Sequence, residues 1–146
     1  MDLSSKLTGF ETVTISKPVL DAGAYIFLCE KEPTDEWDDK KDLEYLAFEY
    51  KVLDGPPQEK EDPEFGTSAA GRTASERVYL DSKNKWKLKK LMVAMGLLDR
   101  NDTTSDRARG NFGTEIFAGQ TFHATIVHNT GKDGTGLYAN INPVIE

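Results

Sequence analysis

The chain of 146 residues has a single cysteine, Cys29. One thiol cannot close an intrachain disulfide and cannot supply a thiolate cluster for zinc, so a reducing, intracellular setting fits best. Histidine is almost as scarce, with only His123 and His128. Five positions apart on an alternating stretch, the two point to opposite faces and cannot share a metal ion. Long apolar runs are missing as well. No segment approaches the roughly 18 consecutive apolar residues of a membrane-spanning helix. The opening "MDLSSKLTGF" lacks both the basic region and the apolar stretch of a signal peptide. The expectation is a soluble, cytoplasmic protein with no membrane association.

Positive charge is short overall, with 18 bases against 25 acids, yet it is concentrated. Residues 28–66 hold 14 acids and 5 bases, whereas residues 72–109 hold 10 bases and 5 acids. "KNKWKLKKLM" (83–92) alone carries five lysines around Trp86 and no acid. Such asymmetry speaks to partners more than to fold; its plain alternative is two solvated faces. Apolar residues make up 38% and aromatics 10%, enough for a packed core. Residues 1–146 are read as one domain, with a leading segment at 1–20 and a flexible, acidic, Pro- and Gly-rich loop at 56–71.

Periodicity orders the rest. "FETVTI" (10–15) allows a short leading strand. "AYIFLCE" (24–30), apolar on both faces, reads as a central strand. "KEPTDEWDDKKD" (31–42) reads as a long acidic loop. In 43–55, Leu46, Phe48, Tyr50 and Val52 fall on one face, and Tyr45, Ala47, Glu49 and Lys51 on the other. In 72–81, Val78 and Leu80 point inward, Arg77 and Tyr79 outward. Ser82 offers an N-cap for a helix to about Met95, stopped by Gly96, with Leu88, Leu91, Met92 and Met95 as its core stripe. Lys83, Lys87 and Lys90 lie on the opposite side, with Trp86 among them. Phe122, Ala124 and Ile126 point inward from 119–129. After a hairpin loop at 130–136, Leu137, Ala139 and Ile141 do so from 137–145. The predicted fold class is all-β with one helix: an OB-fold, a five-stranded Greek-key barrel with a helix between strands 3 and 4. A mixed α+β sheet without barrel closure is the competitor.

Catalytic patterns find little support. "GTSAAGRT" (66–73) has the spacing of a phosphate-binding P-loop with Arg72 in place of lysine, but an acidic loop precedes it and a strand follows. The acidic stretch 35–42 lacks the central glycine and terminal glutamate of a calcium loop. No serine stands in a nucleophile elbow. The expectation is no enzyme, no cofactor and no small-molecule substrate. Single-stranded nucleic acid is better matched, since it is held by cations for phosphates and aromatic rings for bases. Tyr45, Lys51, Arg77 and Tyr79 share the outward face of the second and third strands. Lys132 and Tyr138 come from the last hairpin. Lys83, Trp86, Lys87 and Lys90 form a second basic face on the helix, which Arg100, Arg107 and Arg109 extend. Each has a structural alternative: the tyrosines cover neighbours, Arg77 pairs with an acid such as Glu49, and Trp86 lies beneath the 56–71 loop.

"AGAYIFLCE", "LAFEYKVLDG", "KWKLKKLMVAMGLL" and "GQTFHATIVHN…GLYANINPV", in this order, resemble the phage-encoded OB-fold single-stranded-DNA-binding proteins. The resemblance covers roughly residues 20–145. It implies a protein that coats single-stranded DNA in phage replication or recombination, in the host cytoplasm, with phage or host replication and recombination proteins as further partners. The acidic stretch at 35–42 departs from it. The rival expectation is an OB- or SH3-like interaction module that binds a protein through its acidic loops.

Overall fold

A computed structural model describes residues 1–10, 18–130 and 137–145, without the side chains of Thr130, Leu137 and Tyr138. Among the described residues there are six strands, most of them built on alternating apolar residues: β1 (Gly23–Cys29), β2 (Thr34–Asp38), β3 (Leu43–Asp54), β4 (Thr73–Tyr79), β5 (Gln120–Thr130) and β6 (Leu137–Pro143). The one α-helix among the described residues, α1 (Trp86–Ala94), lies between β4 and β5, and a 3-10 turn at Thr114–Phe117 leads into β5. The fold is thus mostly β with one helix. The leading strand expected over 10–15 falls mainly on residues outside the described ones. No helix among the described residues is long and apolar enough to cross a membrane.

All pairings are antiparallel and follow the order β2-β3-β1-β5-β6, with β4 attached to β3. β3 is the long organiser. Residues 51–54 face β1 and 43–47 face β2, while β4 pairs with 45–51. The overlapping registers put β1 and β2 on one edge of β3 and β4 on the other. β1 is central, between β3 and β5, as its apolar character predicts. The count of five strands is corrected to six, because "TDEWD" inside the expected acidic loop forms β2. Its strand conformation comes from pairing with β3, and its charges suit an edge position. No ladder joins β4 to β6 among the described residues, so closure into a barrel is not part of the observed pairing.

Most of the predicted inward residues meet in the core; Leu80, Ala139 and Ile141 pack against it only partly buried, and the side chain of Leu137 lies outside the described residues. Tyr25, Phe27, Cys29, Phe48, Tyr50, Val52, Val78, Phe122, Ala124 and Ile126 are buried. Their rings interlock, with Tyr50 edge-on to Phe122 at 4.9 Å and Phe48 edge-on to Phe117 at 5.2 Å. From α1, Leu91 and Met92 enter this core with Met95 just past its end, and Leu88 packs against it. The helix begins later than the sequence suggests. Ser82 is not its cap; the Asp81 carbonyl accepts from Asn84 and Lys85 N–H at 3.1 and 3.0 Å, giving a turn first. Gly96 stops it, at φ 76°, while Gly96 N–H donates to Val93 O and Leu97 N–H to Met92 O, the paired bonds of a Schellman end.

The 56–71 stretch is tied down at several points. Buried Gln58 donates to the Tyr25 hydroxyl at 2.9 Å and accepts from Asp21 N–H at 2.8 Å. Arg72, 2% exposed, donates to the carbonyls of Ser68, Lys60 and Gly66. The arginine of the P-loop look-alike is therefore a clamp on its own loop.

Candidate nucleic-acid interface

On the outer face of β3 and β4, register places Tyr45 directly opposite Tyr79 and Ala47 opposite Arg77. The two rings pack 5.4 Å apart, tilted by 53°. The Arg77 guanidinium sits 4.6 Å above the Tyr45 ring, and Lys41, from the β2–β3 hairpin, lies 4.5 Å from the Tyr79 ring centre. Asp38, at the end of β2, organises the group. Its Oδ2 accepts from the Tyr79 hydroxyl at 2.7 Å and lies 3.5 Å from Arg77, while its Oδ1 accepts from Lys40 and Lys41 N–H. The Tyr79 hydroxyl, helped by the Lys41 amide, holds the Asp38 carboxyl below the usual carboxylate range.

This geometry corrects two expectations. Tyr45 is not an open stacking ring: it is 9% exposed, covered by Tyr79 on one side and Arg77 on another. Arg77 pairs with Asp38, not with Glu49, because Glu49 lies opposite Ser75 in the ladder. What faces solvent is the half-buried Tyr79 ring and the Arg77 plane, whose side chain is 58% exposed. Guanidinium planes stack on flat partners as aromatic rings do, so the flat groups this face presents to solvent are Arg77 and Tyr79 rather than Tyr45. Lys51, further along β3, makes only an exposed 3.7 Å pair with Glu30, of the kind worth little in water.

Arg77 also leads into a second feature. A groove of about 490 Å³ separates β4 from β6, walled by Ser75–Arg77 and Ala139–Pro143 and flanked by Trp86, Lys87 and Lys90 of α1. Trp86 is 56% exposed here, so it is not beneath the 56–71 loop. Lys87 lies 5.7 Å from its ring centre. Lys83 is exposed in the turn before α1. Of the following cations, Arg107 donates to the Leu97 carbonyl at 3.0 Å, and Arg109 is exposed. Lys132 lies outside the described residues, as does the side chain of Tyr138, whose backbone pairs with Asn129. His128 Nε2 lies 2.6 Å from the Leu20 carbonyl, and His123 is exposed on the opposite face.

Glu76 lines the same groove, and sequence reasoning missed it although a signal exists. Strand parity puts it on the inner face with Val78, opposite Phe48, where an acid is out of place. Its Oε2 is shielded from solvent and lies against the equally shielded Tyr50 hydroxyl. Burial pushes its carboxyl up to about 7, against the opposing pull of the Tyr50 hydroxyl and of Lys87. Lys41 and Asp38 escape sequence reasoning for another reason: only the hairpin brings them to the tyrosines.

Comparison with protein-family models gives no match, and comparison with curated proteins gives none either.

Proposed function

We propose that this chain is an OB-type domain that binds single-stranded DNA with little sequence preference. The strand lies across the β3–β4 face and continues past Arg77 into the groove beside α1. The observation that carries this is the Tyr45–Tyr79 pair with Arg77 and Lys41 seated on its rings, continuous through Arg77 with the Trp86 groove. Rings and cations interleaved along one path are what an unpaired strand needs. The fold assignment draws support from the strand order. β1 and β2 together act as the first OB strand, β3 and β4 as the second and third, and β5 and β6 as the last two, with α1 between third and fourth. The resemblance to phage-encoded single-strand binders extends the proposal to replication or recombination in an infected cytoplasm, without catalysis.

A second reading is favoured by one observation. Asp35 and Glu44 crowd each other at the β2 edge, so that Asp35 raises the Glu44 carboxyl, and Trp37 stands exposed beside them. An interaction module would offer this acidic edge to a basic protein partner. Titrating oligothymidylate into the protein at low salt, with tryptophan and tyrosine fluorescence as readout, separates the two. A single-strand binder shows quenching, and its log affinity falls with log salt at about −0.7 per phosphate neutralised. Absence of binding at low ionic strength leaves the interaction module.

A further inference from the structure

Trp86 borders a second groove, of about 520 Å³, between α1 and the segment 98–112. Its floor is apolar, with half-buried Leu88 and Phe112 over buried Met92 and Leu98. Its rim is cationic: Lys85 and Lys89 stand exposed on the helix side, Arg107 and Arg109 on the facing segment, and no acid lines it. Lys85 and Lys89 are one turn apart, where like charges repel, and the first turn of α1 holds no acid to offset them. Arg107 is fixed at the rim by its 3.0 Å bond to the Leu97 carbonyl. Asp102 feels Lys89, but its carboxylate is taken up by the Thr104 and Ser105 N–H groups. Among the described residues, none of these cations forms an ion pair.

β2 carries the complementary surface. It is an edge strand, paired only with β3. Trp37, 55% exposed, lies opposite Glu44, and alternation puts it on the same side of the strand as Asp35. Asp35 and Glu44 crowd each other, a repulsion that a cation would relieve. Glu36 and Asp39 are exposed beside them, whereas Asp38 is taken up by Tyr79 and Arg77. An indole among carboxylates matches an apolar floor with a cationic rim in both shape and sign. No β2 residue lines the groove of its own chain, so the two surfaces meet between copies.

We propose that the β2 edge of one copy docks in the α1 groove of the next, with Trp37 on the apolar floor and Asp35, Glu36 and Asp39 against the cationic rim. The contact is head-to-tail. Each copy offers one edge and one groove, so a pair still has one of each free and association continues beyond the dimer. This goes beyond the single-strand reading and stands without it, since Trp37, Lys85 and Lys89 do not belong to the strand path. One anchoring ring and a few ion pairs make a small contact of the weak, transient class. The net charge of −7 makes copies repel at a distance. At about 0.15 M salt the screening length is about 8 Å, so that repulsion fades while charges in contact still attract.

The test is sedimentation equilibrium of the DNA-free chain in that salt, at protein concentrations from about 10 μM to 1 mM. The parent's average mass should rise with concentration past that of a dimer. Trp37→Ala, and separately Lys85→Glu combined with Lys89→Glu, should each weaken association by about tenfold or more. All three positions are exposed, so the fold should survive the changes. The Trp37→Ala chain keeps its groove and the lysine variant keeps its edge. An equimolar mixture of the two should therefore form a 1:1 dimer that does not grow further. A parent that stays monomeric throughout overturns the proposal, and so does a mixture that stays monomeric. Association that survives the lysine changes also overturns it, pointing to β2 edges that pair with one another. If the lysine changes leave association intact but weaken oligothymidylate binding as much as Tyr79→Ala, the groove belongs to nucleic acid and the proposal falls. Because no nucleic acid enters the sedimentation experiment, its failure leaves the single-strand reading standing.

Discussion

Glu76 makes a prediction about stability that needs no ligand. In the unfolded chain its carboxyl has the ordinary value of 4.5; in the folded protein, burial beside Phe48 and Tyr50 raises it to about 7. The folded state therefore holds the proton more tightly, and between these values it binds more protons than the unfolded state. Stability falls as pH rises through that window, opposite to a carboxylate in an ion pair. A shift of this size corresponds to about 3 kcal/mol in full, of which roughly 2–3 kcal/mol is lost between pH 5 and 8. Glu76→Gln keeps the shape and removes the titration. Its urea-unfolding free energy should exceed that of the parent by about 3 kcal/mol at pH 8, and the gap should narrow to below about 1 kcal/mol at pH 5. Thermal melts should show the same trend, at roughly 2–4 °C per kcal/mol for a chain of this size. A gap that is equal at the two pH values, or larger at pH 5, would refute the claim that Glu76 is buried and protonated near neutrality.

Other outcomes follow from the same geometry. On an all-thymidine tract, Tyr79→Ala should cost about 1–3 kcal/mol of affinity, more than Trp86→Ala, whereas Tyr79→Phe keeps the ring and most of the binding; equal or reversed losses in a fluorescence titration would place the strand elsewhere. Arg72→Ala removes charged donors from three loop carbonyls and should destabilise the protein by about 2–4 kcal/mol in urea, with increased proteolysis within 56–71. Burial pushes the Cys29 thiol up to about 11, so alkylation by iodoacetamide at pH 8 should be negligible until denaturant is added.

Much of the sheet is legible in the sequence because period-two alternation is a strong signal wherever one face is dry. Leu46, Phe48, Tyr50 and Val52 form one inward row by parity, and all four are buried. The stripe on α1 and the stop at Gly96 are equally plain, since 3.6-residue spacing and a glycine past the last turn act locally. β2 is not legible, because Asp35, Glu36 and Asp38 within "TDEWD" are poor strand formers and only the distant β3 makes them a strand. Face, moreover, is not exposure. Parity puts Tyr45 outward correctly, but the cover supplied by Tyr79 and Arg77 depends on register and on where Asp38 draws Arg77. Glu76 is the converse: the alternation that turns Val78 inward turns Glu76 inward too, and an acid at an inward position is itself the sequence signal for the groove.

The central claim is that the Tyr79–Arg77 face and the adjoining Trp86 groove together hold an unpaired strand. Its most direct test is an NMR titration of the protein with oligothymidylate, following backbone amides and the two indole N–H signals. The account predicts shifts at Lys41, Arg77 and Tyr79 and at the Trp86 indole, growing together at one affinity. Shifts confined to Asp35, Trp37 and Glu44, or none at all, would contradict it.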